Sequence, residues 1–532
     1  MKTFLLKFCC IILAVVMLTG SLAGCGGESA SSGTGTGNSG TESQGSTSQA
    51  AATDNGKPDI SKKVEVVMYL AGDASPDSPL VETELNKIME RDLNCTLKII
   101  NIPWADWDAK YPLILTAGEK YDLIYASNWT QFADYANKGA FRELDDILEM
   151  YAPGILKQLP KEAWEEVKIN GKIYGLPSKQ SNYNTDALVI RGDLREKLGL
   201  AQVTDLDSLE VYMEGVKKNY PDIIPFNASS MDRGMFEPTT PYEYVIDESY
   251  FKIVAASYDD LDKGNVDFIP FMPGYDQYIQ RLKSWSDKGY LPKGLLTSKI
   301  LSVESFKKGK SAVAVGNTGA IIEDAITNTL QVNPQWKPEF VELRFKSKAG
   351  VHPMPFMADG MAVGRNAENP ERALMVCDKI RTDKECYNLL FYGIKDRNYI
   401  LTADGKRADP PGVTPDKNGY LPGNQGQWGF TIAEMELPSA SEWPAKKQVI
   451  YPEFDKIATP DKMARFAFNR DSIQSEVAAV TQILQQYNLP LMWGKSKDPA
   501  KDLEALKNKM KAAGSDKILT AIKSQMADYF KK

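Results

Sequence analysis

The chain has 532 residues, a formal net charge of −7 and one histidine, His352. An acidic balance argues against nucleic acid or an anionic membrane face as partner. A single histidine, held in His-Pro-Met-Pro, leaves no material for a Ser-His-Asp arrangement of ordinary kind or for a His-rich zinc site, so no catalytic group, metal or cofactor is expected.

Residues 1–24 read as a signal peptide: Lys2 and Lys7, then the apolar run Phe8 to Leu18, then Leu22-Ala23-Gly24-Cys25, in the order of charged region, hydrophobic region and small-residue cleavage site. The apolar run is 11 residues long, whereas a membrane-crossing helix takes roughly 20. The Leu-Ala-Gly-Cys tetrapeptide resembles the bacterial lipobox, which implies cleavage before Cys25 and a diacylglyceryl anchor on its thiol. The mature protein is then expected on the cell membrane, held through its N-terminal lipid and facing the extracytoplasmic side. Loss of Lys2 and Lys7 takes its charge from −7 to −9. From Gly26 to Lys57 there is no Leu, Ile, Val or aromatic residue, so residues 25–57 have nothing to bury and form a flexible tether, spanning roughly 30 Å on average. The match of residues 35–40 to GxGxxG lacks the flanking strand and helix that the dinucleotide motif requires and carries no meaning.

Residues 58–532 exceed a single ordinary core and predict two lobes. Val64 to Leu70 reads as a buried strand, followed by a Gly-Asp-Ala-Ser-Pro turn and a helix around Leu80 to Arg91. The alternation repeats with a strand at Thr96 to Ile102, a helix at Trp104 to Ala117, a strand at Tyr121 to Tyr125 and a helix at Phe132 to Asn137. Such alternation implies a mostly parallel sheet flanked by helices, with ligands beyond the carboxyl ends of the strands. Further along, Gly309-Lys310-Ser311 looks like the end of a phosphate-binding loop, but the Ser-Ala-Val-Ala-Val that it opens reads as a strand. Asp416-Lys417-Asn418-Gly419 begins like a calcium loop, lacks the remaining oxygen ligands and the closing Glu, and reads as a turn. Of the cysteines that survive maturation, Cys95, Cys377 and Cys386 are read as buried thiols, with a Cys377–Cys386 bridge as the alternative.

Several segments carry a resemblance. Tyr121-Asp122-Leu123-Ile124, Lys138-Gly139-Ala140-Phe141 with Leu144, Asn170 to Pro177, Phe306 to Gly316 and Asn369-Pro370-Glu371-Arg372-Ala373 look like extracellular solute-binding proteins of family 1, the two-lobed receptors of carbohydrate importers. Tyr392-Gly393-Ile394, Asn398-Tyr399 and Ala513 to Ile518 resemble LipO-type lipoproteins. The resemblance implies an α/β, periplasmic-binding-protein-like (type II) fold whose lobes are each a mostly parallel sheet flanked by helices. By analogy, lobe 1 holds residues 58–185 and 355–400 and lobe 2 holds 186–354 and 401–532, with crossings near Ala187–Ile190 and Phe356–Val363. It also implies a monomer that captures a solute, expected to be an oligosaccharide, and delivers it to ABC permease subunits. A peptide receptor is the alternative in the same role, and a secreted glycosidase with a cleft carboxylate pair is the alternative outside it.

A sugar presents apolar C–H faces and a rim of hydroxyls, so its site needs aromatic platforms flanked by polar side chains. Trp129, in the polar loop after the third strand, is the leading candidate, with packing against the adjacent helix as the alternative. Trp428 in Gly-Asn-Gln-Gly-Gln-Trp-Gly is next, with core packing as its alternative. Asp73 and Asn128 lie in loops after the first and third strands, Asn182 and Tyr183 precede the first crossing, Asn317 ends the second-lobe strand, and Asp359 lies on the second crossing. Trp104 and Trp107 are read as anchors of their helix in the core, and Trp285 as the buried face of an amphipathic helix.

Overall fold

The computed structural model describes residues 58–531 except 233, 247–252, 319–320, 348–350, 415–416, 421, 424, 442 and 444–445. The signal peptide, Cys25 and the tether lie outside the described residues, as does Asp416. Among the described residues no helix is long and apolar enough to cross a membrane.

Two main sheets organise the fold, built from β1 (Val64–Ala71), β2 (Cys95–Ile102), β3 (Leu123–Ala126), β4 (Asp186–Arg191), β5 (Val313–Asn317), β6 (Pro338–Val341) and β7 (Gly360–Val363). In the first sheet, β1 lies between β2 and β3 and pairs parallel with both, and β7 closes the edge antiparallel to β3. The β1–β2 register runs from Val64↔Cys95 to Ala71↔Ile102, so both strands end flush and release their loops at one edge. Parallel neighbours need a crossover, and Ser78–Leu93 supplies it: Val81, Leu85, Ile88 and Met89 recur on one buried face. Asn94, at φ 47°, ends that helix in the left-handed conformation.

The second sheet has the order β5-β4-β6, with β4 antiparallel to both neighbours. Here the expected parallel ladder is corrected. Strands β5 and β6 run in the same sense, but the chain enters this lobe along β4 and inserts it, reversed, between them. The first lobe receives its reversed strand, β7, in the same way, on the return. Period-two alternation is visible along β4: Leu188 and Ile190 face one apolar cluster, while Ala187 and Val189 face another that contains Phe306, Ile322 and Ile326.

Two large cores result. One gathers Val66 to Leu176, Met357 to Tyr399 and, in addition, Tyr420, Phe430 and Ile432. The other gathers Leu188 to Leu295, Ala312 to Leu343 and Met463 to Met526. The segment around Tyr420–Ile432, assigned from sequence to lobe 2, thus packs in the first core. The crossings are displaced as well. Ala187–Ile190 and Gly360–Val363 lie inside the lobe sheets, and the two-stranded ladder between them pairs Asn184 with His352 and Tyr183 with Pro353. A third passage runs beside it, where Val351 bridges Ala458. Cys95, Cys377 and Cys386 are buried free thiols.

Candidate ligand-binding site

The carboxyl edge of the first sheet carries a corner of indoles. After β1 comes Gly72, at φ +91°, where a Cβ would lie 3.2 Å from the Trp104 indole nitrogen and 3.6 Å from that of Trp428. A larger residue would be strained in its backbone and would crowd both rings. After β2, Pro103 leads into a 3-10 turn, Trp104–Asp106, which continues as the helix Trp107–Thr116. After β3, Ser127 opens a second 3-10 turn, Asn128–Thr130, through reciprocal hydrogen bonds with Thr130. These adjacent loops place Trp104 with its centroid 4.9 Å from that of Trp428, nearly perpendicular, and 6.4 Å from that of Trp129. Trp104 is 42% exposed, and Trp129 and Trp428 are half-buried.

Beneath them Tyr125 packs 5.7 Å from Trp129 and 5.9 Å from Trp428. Its hydroxyl donates to Asp359 Oδ1 at 2.6 Å, and Gln180 Nε2 donates to Oδ2 at 2.5 Å. The Trp129 indole N–H donates to the Ala358 carbonyl at 3.1 Å, which fixes the ring edge, and the ring packs against the first core. Burial pushes the Asp359 carboxyl up to about 6, against the opposing pull of those donors. Asn128 is a local brace: its Oδ1 accepts from the Trp129 N–H at 2.9 Å and its own N–H donates to Met357 at 2.9 Å.

The corner therefore unites Trp129, Trp428, Asp359 and Asn128, with Asp73 exposed on the loop beside Gly72. Asn182 and Tyr183 belong to a second group at the lobe crossing. Asn182 Oδ1 accepts from Tyr451 at 2.9 Å and from Lys446 at 3.2 Å. Lys446, nearly buried, also pairs with Glu323, and Tyr183 donates to Asp455. Asn317 ends β5 opposite Asp186. His352, in the crossing ladder, sits 3.0 Å from Glu243 Oε2 and 2.8 Å from the Thr459 carbonyl.

The expectation for Trp104 is corrected and that for Trp107 stands. Trp107 is 7% exposed and stacks on Tyr111 at 4.4 Å in the first core. Trp104, one 3-10 turn earlier on the same side, keeps its ring 5.6 Å from that of Trp107 but remains exposed. Its address was visible in the sequence: Ile-Pro-Trp directly after a strand that ends at the same edge as the Trp129 loop. Gln180, which completes the grip on Asp359, had no such signal. A separate depression of about 250 Å³, lined by Lys62, Glu65, Asp122 and Asn369, opens at the amino-terminal edge of the same sheet and contains no tryptophan.

Residues 85–375, more than half of the chain, match the family described as bacterial extracellular solute-binding protein. The chain belongs to this family. Residues 462–531 match a domain of unknown function, DUF3502. A carbohydrate ABC transporter substrate-binding protein of Streptococcus pneumoniae serotype 4 is 23% identical over 99% of this chain and 98% of its own length. Lipoprotein LipO of Bacillus subtilis is 21% identical over 63% of this chain and 68% of its own. The crystal structure of the N-glycan transport solute-binding protein NgtS from S. pneumoniae superposes with a TM-score of 0.74 at 20% identity, covering 88% of this chain and all of that one. The same protein in complex with Man5GlcNAc gives 0.65. The fold is thus the two-lobed α/β arrangement of solute-binding proteins, of type II.

Proposed function

We propose that this member of the solute-binding family is the lipid-anchored receptor of an ABC importer, capturing an oligosaccharide between its lobes. The observation that carries the reading is the indole corner at the carboxyl edge of the first sheet. Two nearly perpendicular rings, Trp104 and Trp428, and a third, Trp129, present apolar faces to a ligand whose own C–H faces need them. Asp359 and Gln180 supply polar groups at the base. Perpendicular platforms suit a chain of linked sugar rings better than one flat solute, because successive pyranoses change orientation at each linkage.

The pneumococcal relatives, one named for carbohydrate transport and one solved with Man5GlcNAc, support the sugar class. LipO, a lipoprotein, supports the anchor at Cys25. Lobe 1 comprises residues 58–185 and 355–400 together with the segment that reaches Ile432, and lobe 2 comprises 186–354 and the chain from Met463 onward. Closure of the two traps the solute, the ligand stabilising the closed state by its differential affinity. The receptor performs no chemistry of its own, and the importer's other subunits supply the transport energy.

The test is thermal unfolding of protein lacking residues 1–57 against oligosaccharides, Man5GlcNAc and kestose among them, and against peptides. A ligand at 100 times its Kd adds about 2.7 kcal/mol to stability. A rise in Tm with one saccharide series, with the saccharide recovered intact, is the expected result. A rise with peptides alone overturns the carbohydrate assignment, and consumption of the saccharide overturns the receptor reading.

A further inference from the structure

The C-terminal segment that matches a domain of unknown function makes a contact that its own packing does not require. Its helices Gln474–Ile483, Pro499–Ala512 and Ser515–Phe530 bury Val480, Leu506, Met510, Ile522 and Met526 in the second core. Ahead of them, the short loop Asn469–Asp471 reaches the first core's side. Arg470 donates from its guanidinium to the side-chain oxygen of Gln131, and Lys138 lies 3.8 Å from Asp471. Gln131 and Lys138 bracket Phe132, Tyr135 and Ala136, all members of the first core, whereas Phe468 and Ile473 on the other side belong to the second.

The loop is mounted for this purpose. Gln525, on the last helix, accepts from the Asn469 N–H at 2.8 Å and donates to the Asn469 carbonyl at 2.8 Å. The Asn469 side chain accepts from the Asp471 N–H at 2.9 Å. Arg470 is thus presented from a backbone locked on both sides by an amide. Its target is a strained point. Gln131 holds φ 62°, a left-handed conformation uncommon outside glycine, at the junction between the Trp129 turn and the helix Phe132–Asn137. Fixing Gln131 fixes the exit of the loop that carries Trp129. Lys138–Asp471, an exposed pair, adds little, so the weight falls on Arg470.

We propose that Arg470 is a positioning residue: the C-terminal domain uses it to hold the Trp129 loop of the opposite lobe, tying the second lobe to the ligand platform of the first. Only the word "ligand" here rests on the function proposed above, because the tie itself is a contact between lobes. Hydrogen exchange followed by mass spectrometry separates the two, since it needs no ligand. Arg470→Ala speeds exchange in residues 127–137 by about fivefold, the loss of one net hydrogen bond, and leaves residues 474–530 unchanged. Gln525→Ala, which removes the amide that holds the Asn469 backbone, does the same and also speeds residues 466–473. Arg470→Lys, which keeps a donor, restores part of the protection. Unchanged exchange in 127–137 with Arg470→Ala, or a change confined to 462–531, overturns the proposal. Failure of every saccharide to bind the unaltered protein counts against the receptor reading alone and leaves the exchange result standing.

Discussion

Trp104 and Trp107 stand three residues apart and differ in exposure, one ring open to solvent and the other buried. Trp107→Ala removes a buried ring and is expected to cost about 3–5 kcal/mol of stability. Trp104→Ala removes a ring 42% exposed, and is expected to cost under about 1 kcal/mol of stability while weakening saccharide binding at least about tenfold, or roughly 1.4 kcal/mol. Denaturant unfolding and calorimetric titration of the two variants separate these effects. Asp359 makes a second prediction at this scale. Its carboxyl, ordinarily near 3.8, titrates at about 6 in the fold, so between those values the folded state binds more protons than the unfolded. Its contribution therefore favours folding at low pH and is lost as pH rises from about 4 through 6. In Asp359→Asn this falling component is absent, so the Tm of the wild type relative to the variant drops across that window; parallel curves would contradict the assigned environment. The corner position of Trp129 and Asp359 was legible because they follow β3 and precede β7, and that of Trp428 from the glycines around it in an irregular loop. Trp104 and Trp107 do share a face, as a spacing of three suggests, their centroids 5.6 Å apart; what chain order does not show is that this face leaves the core at Trp104, which is exposed.

At the scale of elements, the first lobe was readable from apolar runs alternating with helical periodicity: β3 is buried throughout, while β1 alternates buried with partly exposed residues. The second sheet was harder. A reversed strand inserted between two others has the same apolar run as a parallel one, and only the partner's direction tells them apart. The return of Tyr420, Phe430 and Ile432 to the first core depends on contacts such as Gln425 Nε2 donating to Ser78 Oγ at 2.9 Å, across hundreds of residues, for which no local signal exists. The docking of the C-terminal helices has its own check. Gly494, at φ +63°, lies where a Cβ would fall 2.0 Å from the Leu282 carbonyl oxygen in the helix Tyr275–Asp287. Gly494→Ala combines strained backbone with overlap against main chain and is expected to destabilise by about 2–4 kcal/mol in denaturant unfolding. A neutral outcome would mean that the helix and the Trp493–Gly494 turn are not packed as described.

Across the whole molecule, two cores are joined by three passages, an arrangement that the proposed closure requires. The Tyr183–Asn184 ladder with His352–Pro353, the Lys446 tie between Asn182 and Glu323, and the Arg470 contact with Gln131 all lie between the cores. The indole corner belongs to the first lobe, so in the proposed receptor binding and closure can be tested apart. Isothermal titration asks whether this corner is the platform for an oligosaccharide: the saccharide giving the largest rise in Tm is titrated into the wild type and into Trp104→Ala. One site per chain in the wild type and at least about a tenfold loss of affinity in the variant are expected. Equal affinity in the two proteins would place the sugar elsewhere and contradict the proposed platform.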